Sequence, residues 1–480
     1  MGHHRAGFHK SRVISTGHAR VAADAPDARI LPMATPTTSP TTDSPASGSP
    51  STSRPSGVGP LHHITTLDNG LRVVTGEMPH TRSVSISVFV GVGSRHETES
   101  DSGASHFLEH LLFKGTTRRP DPEMVSGAIE GVGGILNAET DQEMTAYWCK
   151  VPQPYFADSL DLLIDLIRNP LMASEEIERE RSVVIDELAM IHDHPDYKVD
   201  SLIDEMLWPN HPLGRDVGGT KETVSVLSRD VLVGHLDRYY SPTNTVVSVA
   251  GAVDHQSVVE ELKRLTGDWE PGPEPEWAPF SVAPRQPQVR MDYRRTEQAH
   301  VSIALPGLSL FHPDRYALGL LSVALGEGMS SRLFLELRER KGLAYDVHSG
   351  VTHFLDCGAF QVSAGTEPRR VYDAVDTILT EVAAIREGIS EEEVNRARQL
   401  TSGRLMLRME DTRAVSSWFG SQELLAREIL DVDDAMAKLD ILTAEDIDRV
   451  AKKVFTSDGL SMAVVGPCRG QRRLENSLKL

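Results

Sequence analysis

His106 and His110 lie four residues apart in the stretch GASHFLEHLLFKGT, and Glu109 stands three after the first of them. On a helix these side chains share one face. Two imidazoles at that spacing can hold one zinc ion, and a carboxylate beside them can take a proton from a water that the metal activates. The order H-x-x-E-H inverts the commoner H-E-x-x-H peptidase motif. The bland alternative is an amphipathic helix with hydrogen-bonded histidines, since the chain has 19 of them.

A catalytic zinc takes three protein ligands and keeps one position open. A third ligand is available in SEEIERERSVVIDELAMIHDHPD, a helical pattern in which Glu180 and Glu187 are seven apart and share a face. Two further blocks could serve such a site. GVGGILNAETDQEMTAYWCKV reads as strand. In GEGMSSRLFLELRERKGLAYDVHSG, a helix should stop at Gly342 and a strand begin near Tyr345, seven residues after Arg338.

Over residues 62–465 these blocks, in this order and spacing, resemble the pitrilysin (insulinase, M16) zinc peptidases. In that family a glutamate follows the second histidine by 77 residues, which is the position of Glu187 in its VVIDEL context. The resemblance implies Zn²⁺ held by His106, His110 and Glu187, with Glu109 as general base and Glu180 orienting a zinc-bound imidazole. It implies an edge strand through Asn137, Ala138 and Glu139 that pairs with extended substrate, with Thr140, Glu143, Thr145 and Tyr147 also at family-like positions. Arg338 and Tyr345 would steady charge developing on the scissile carbonyl. The likeness is to the short, two-domain members, in which a pair of chains encloses a chamber. That implies a homodimer, or a heterodimer with an inactive homologous subunit.

The elements that must position these residues recur. SVSISV has a counterpart in HVSIAL, with Val84 matching Val301 at an offset of 217. SEEIERER recurs as SEEEVNRAR at the same offset. The apolar stripe Phe156, Leu160, Leu163, Ile164 and Ile167 recurs as Val371, Val375, Ile378, Leu379 and Val382. A duplication producing two homologous α/β sandwich domains, an α+β fold, follows. The metal chemistry is not repeated: at offset 217 His106, Glu109, His110 and Glu187 become Val323, Gly326, Glu327 and Arg404. Asn69-Gly70 marks a hairpin at the start of the fold.

The expected organisation is a Ser/Thr/Pro-rich disordered tail over 1–60, a zinc-binding domain over 61–266, a Pro-rich linker over 267–287 and a metal-free homologous domain over 288–480. A length of 480 residues suits two domains of about 200 each. The net charge of −20 argues against nucleic acid as partner and is compatible with a chamber that attracts basic peptides. No apolar run approaches the ~18 residues of a membrane span. Cys149, Cys357 and Cys468 are too few and too scattered for a disulfide framework, so they read as small buried residues of a reducing compartment.

The basic residues Arg5, Lys10, Arg12 and Arg20 give the first 23 positions a transit-peptide-like composition. A bacterial cytoplasmic enzyme with a dispensable tail, or with a start at Met33, is the first expectation, and the mitochondrial matrix the second. GRDVGGTKE (214–222) is not a phosphate loop, because Thr220 separates Gly219 from Lys221. His192 and His194 read as surface residues. The function expected is zinc-dependent endopeptidase cleavage of unfolded or presequence-like peptides. The rival is a non-catalytic structural subunit of the same superfamily, which should have lost a ligand or the base.

Overall fold

The computed structural model describes residues 62–281 and 286–480; the expected tail and part of the linker lie outside them. Strands β1 (His62–Thr66) and β2 (Arg72–Glu77) pair antiparallel around Asn69-Gly70. Gly70 adopts φ +88° there, in the region glycine enters without a Cβ penalty. With β3 (Ser83–Val90), β4 (Ile135–Thr140), β5 (Thr145–Pro152) and β6 (Thr245–Gly251) they form a sheet of order β1-β2-β6-β3-β5-β4. A second sheet contains β7 (Gln288–Tyr293), β8 (Ala299–Pro306), β9 (Ala344–His353), β10 (Gly358–Thr366) and β11 (Ser461–Gly466), in the order β7-β11-β8-β10-β9.

Without β1 the two orders coincide, and so do the strand senses: β2 runs parallel to β6 as β7 does to β11, and the other pairs are antiparallel. The duplication inferred from the 217-residue offset is therefore present in the topology. Between the strands of the first half run α1 (Ala104–Leu112), α2 (Pro122–Glu130), α3 (Phe156–Arg168), α4 (Ser174–Asp193), α5 (Pro195–Leu207), α6 (Lys221–Val226) and α7 (Arg229–Tyr239), and α8 (His255–Thr266) follows β6. The second half has α9 (Arg315–Gly326), α10 (Val371–Glu387), α11 (Glu391–Arg408) and α12 (Thr412–Leu425).

The apolar stripes foreseen on α3 and α10 bury Leu160, Leu163, Ile164 and Ile167 in one core, and Val371, Val375, Ile378, Leu379 and Val382 in the other. Each half also lends a helix to its neighbour. From the second half, α12 covers β2, β3 and β6, with Val415 and Phe419 in a cluster with Val74, Phe89 and Val246. From the first half, α5 covers β8 and β11, with Val199, Ile203 and Leu207 against Ala304, Ala463 and Val465. The close approach depends on Gly420, where a Cβ would stand 2.2 Å from Phe89 Cε2. The three cysteines are buried and unpaired. No helix among the described residues is long and apolar enough to cross a membrane.

Candidate metal centre

The helix carrying the histidines is held at both ends. At its N-terminus the buried Glu97 carboxylate accepts from Gly103 N at 2.8 Å and Ser105 N at 2.7 Å, satisfying donors the helix leaves open. Past its C-terminus Lys114 forms an ion pair of 2.6 Å with Glu180. Eight of the nine residues of α1 are buried, so its backbone has little freedom. On α4 the buried stripe Ile177, Glu180, Val184 and Leu188 faces inward, and Glu187 lies at its margin. Two glutamates on an otherwise apolar face need partners, because an unpaired buried charge is costly.

The partners are the histidines. His110 Nδ1 donates to Glu180 Oε1 at 2.9 Å, which leaves Nε2 facing Glu187 Oε2 at 3.3 Å. His106 Nε2 lies 3.9 Å from the same oxygen. Ligand atoms of His106, His110 and Glu187 all fall within 4.8 Å of one another, the one such group among the described residues. A tetrahedral zinc with bonds near 2.0–2.1 Å separates its ligands by about 3.3 Å. The two-imidazole, one-carboxylate donor set fits zinc, the His110–Glu187 pair already stands at that spacing and His106 lies somewhat wider, and the Glu180 hydrogen bond fixes the tautomer that a ligand at Nε2 of His110 needs.

The charges point the same way. Burial lowers His106 to about 4, keeping it neutral as a ligand must be. Burial works against charge on His110 too, but Glu180 and Glu187 outweigh it and raise its pKa to about 9. Glu187, despite burial, is held below the ordinary carboxylate value by His110 and His106. A cation is thus favoured between His110 and Glu187, either a proton or a metal that displaces it.

Glu109 is 5% exposed, and burial raises its pKa to about 7. The Thr140 hydroxyl, at the end of β4, donates to its Oε2. As expected, β4 is the outermost strand of its sheet. Asn137 turns its amide oxygen back onto Ala138 N at 2.8 Å. Glu139 accepts from Arg413 of α12 at 2.9 Å, and that guanidinium also lies 4.4 Å from the centroid of the Trp148 ring. Thr145 and Tyr147 are buried behind the site, Tyr147 bonded to the Tyr240 hydroxyl at 2.9 Å. His106, Glu139 and Thr140 line a cavity of about 960 Å³ between the two halves.

Arg338 and Tyr345 are brought together but stand apart from this cavity. The Arg338 guanidinium lies 4.7 Å from the Tyr345 ring centroid and donates to the Tyr345 carbonyl at 3.2 Å; Tyr345 is 75% exposed. Asp346 and His348, further along β9, do line the cavity. Gly342 has φ +58° where the helical segment ends, as its position suggested. His194 is exposed and His192 half-buried, and neither belongs to the ligand group.

Two features escaped the sequence reading. Lys114, four residues after His110, clamps Glu180; its spacing was a visible signal. The GRDVGGTKE loop, dismissed as a phosphate site, packs on the N-terminus of α1. A Cβ on Gly218 would lie 3.5 Å from His106 Nδ1, and one on Gly219 only 2.4 Å from Ser102 O. Glycine there lets the loop close over the metal helix.

Comparison with known proteins agrees with this geometry. The model of the insulinase family, peptidase family M16, matches residues 72–221, and that of the peptidase M16 inactive domain matches residues 227–401. An uncharacterized zinc protease of Streptomyces coelicolor is 37% identical over 425 residues, 87% of this chain and 92% of that protein. One from Mycobacterium tuberculosis is 38% identical over 429 residues, 86% of this chain and 95% of the other. A protease from Helicobacter pylori, solved by crystallography, superposes with a TM-score of 0.80 at 25% identity, covering 85% of this chain and all of that one. The chain belongs to the insulinase (M16) family of peptidases.

Proposed function

We propose that this chain is a zinc-dependent endopeptidase that cleaves extended peptides in the cavity between its halves. The observation that carries the reading is the convergence of His106, His110 and Glu187 within 4.8 Å, with Glu109 on the same helix as the two histidines. His106, His110 and Glu187 hold the metal, and Glu180 orients His110. Bound zinc supplies a Lewis acid that makes water a nucleophile near neutral pH and polarises a carbonyl. Glu109, with its pKa raised to about 7 by burial, takes the proton of the attacking water and passes it to the leaving amine. The Thr140 hydroxyl keeps that carboxylate aimed.

Asn137, Ala138 and Glu139 offer the edge of β4 to a substrate strand, so grip comes mainly from the main chain. Choice among substrates comes from charge. Asp196, Asp200 and Asp204 form a stripe on α5 along the cavity wall, joined by Asp141, Asp216 and Asp346, whereas among the described residues only Arg215 and Arg408 add arginines to the wall and no lysine lines it. Basic, presequence-like peptides suit such a wall. Residues 61–266 form the zinc-binding domain and 288–480 its metal-free homologue, joined by 267–287. A second copy, or an inactive homologous subunit, closes the chamber and brings Arg338 and Tyr345 over the metal of its partner, in the bacterial cytoplasm.

The test is a digest of an unstructured peptide library by the purified full-length protein. Cleavage should stop with a chelator, return with zinc, favour Lys/Arg-rich over Glu-rich peptides and spare a stable folded protein. Chelator-insensitive cleavage, or none at all with zinc bound, would overturn the reading.

A further inference from the structure

The bulkiest fully buried side chain among the described residues is a cation, Arg95, whose side chain has no exposed surface. A buried guanidinium is tolerated only when its donors are matched. Here the partners come from three parts of the chain. From the β4–β5 turn, Glu143 accepts from Nη1 at 2.6 Å. From the β9–β10 turn of the second half, both oxygens of Asp356 accept from Nη2 at 2.7 Å. From the segment joining the halves, the Ala278 carbonyl accepts from Nε and Nη2 at 3.2 and 2.9 Å, and the Trp277 ring lies 4.1 Å from the guanidinium carbon. The two turns are also joined directly, since Leu355 N donates to Glu143 at 3.1 Å, and Phe280 N donates to Asp356 at 2.7 Å.

This knot sits beside both supports of the metal centre. The Arg95 amide donates to Gln142 O at 2.8 Å, and Asp141 Oδ1 accepts from Glu143 N and Met144 N at 2.7 Å, so the turn is braced from both sides. One residue before Asp141 is Thr140, which holds Glu109. Two residues after Arg95 is Glu97, which caps α1. No member of the knot lines the cavity.

We infer that Arg95, Glu143 and Asp356 form an interdomain latch through which the metal-free half positions the general base. Asp356 is then a positioning residue for a reaction in the other half. This rests on Glu109 being the base. A displacement of the Thr140 turn by a fraction of an ångström moves the carboxylate away from the water it must deprotonate, and misplacement on that scale is costly in rate.

The experiment uses the full-length protein with Asp356→Ala and Asp356→Asn. Removing Arg95 would strand the buried Glu143 carboxylate and could prevent folding, whereas Asp356 is partly exposed and its loss leaves Arg95 its Glu143 and Ala278 partners. Zinc content, kcat and KM on an internally quenched unstructured peptide, melting temperature, and amide exchange at Arg95, Glu143 and Leu355 are measured. Asp356→Ala should keep its zinc, keep KM within about twofold, lose roughly tenfold in kcat and exchange those amides faster. Asp356→Asn, which retains an acceptor for Arg95, should recover most of kcat. A lowered melting temperature with unchanged kcat, or a loss of kcat explained by lost zinc, would overturn the inference. Should the wild type cleave no peptide, the peptidase reading fails separately. Amide exchange then still judges the latch, and unchanged protection at Glu143 would overturn it.

Discussion

The two domains share a backbone and differ at the few positions that matter for a metal. At the 217-residue offset, His110 and Glu187 correspond to Glu327 and Arg404. The first pair stand 3.3 Å apart as potential ligands; the second make an ion pair of 2.9 Å. Glu180 corresponds to Ala397 and His106 to Val323, and Val323, Glu327 and Ala397 line a void of only about 20 Å³, room for about one water. Glu109 corresponds to Gly326, where a Cβ would meet Ser349 Oγ at 2.5 Å. The same helix pair therefore closes in two ways. In one domain the facing charges leave a gap that suits a cation. In the other they neutralise each other, and β9 occupies the space of the base. The lesson is that the fold supplies two facing helices, and side-chain charge decides whether they become a site.

The largest effect expected from this contrast is on metal binding. His106→Ala or Glu187→Gln should reduce bound zinc from about one per chain to nearly none, because two ligands do not hold a catalytic zinc. Metal analysis after dialysis checks it. Retention of zinc in either variant would separate the triad from the metal site.

A large effect on stability should follow from the exchanged helices. Phe419→Ala removes a buried ring from the outer face of the first sheet and should cost ~3–5 kcal/mol; Ile203→Ala on α5 should cost ~2–5 kcal/mol. Because each helix belongs to one half and covers the other, both variants should still melt in a single transition by calorimetry. Two resolved transitions would show the halves to be independent.

The smallest effect belongs to the metal-free pair. Arg404 and Glu327 are 45% and 29% exposed, so Arg404→Ala should change stability by about 0–1 kcal/mol and leave zinc and peptidase activity intact. Lost zinc in this variant would mean that the second domain carries metal after all.

Much of this was legible in the sequence because the informative spacings are local. His106, Glu109 and His110 occupy one helical turn, and Glu180 and Glu187 two turns of another. The repeated domain also follows from patterns of strand and stripe, whereas the edge position of β4 was implied by the family resemblance alone. The contacts between halves were not legible. Nothing near Asp356 marks it as a partner of Arg95, 261 residues away, and an amphipathic helix such as α12 does not say which sheet it covers. The Glu327–Arg404 pair left a signal that was read only as loss. Opposite charges at the two positions that oppose ligands elsewhere already implied a salt bridge.

The central claim is that Glu109 does the proton chemistry at a metal held by its neighbours. Full-length Glu109→Gln tests it most directly, with zinc content and peptide turnover measured on the same preparation. The account predicts about one zinc per chain, unchanged, and turnover lower by roughly 10²–10⁴-fold. Wild-type turnover in Glu109→Gln would contradict it, and so would a loss of activity that merely tracks a loss of zinc.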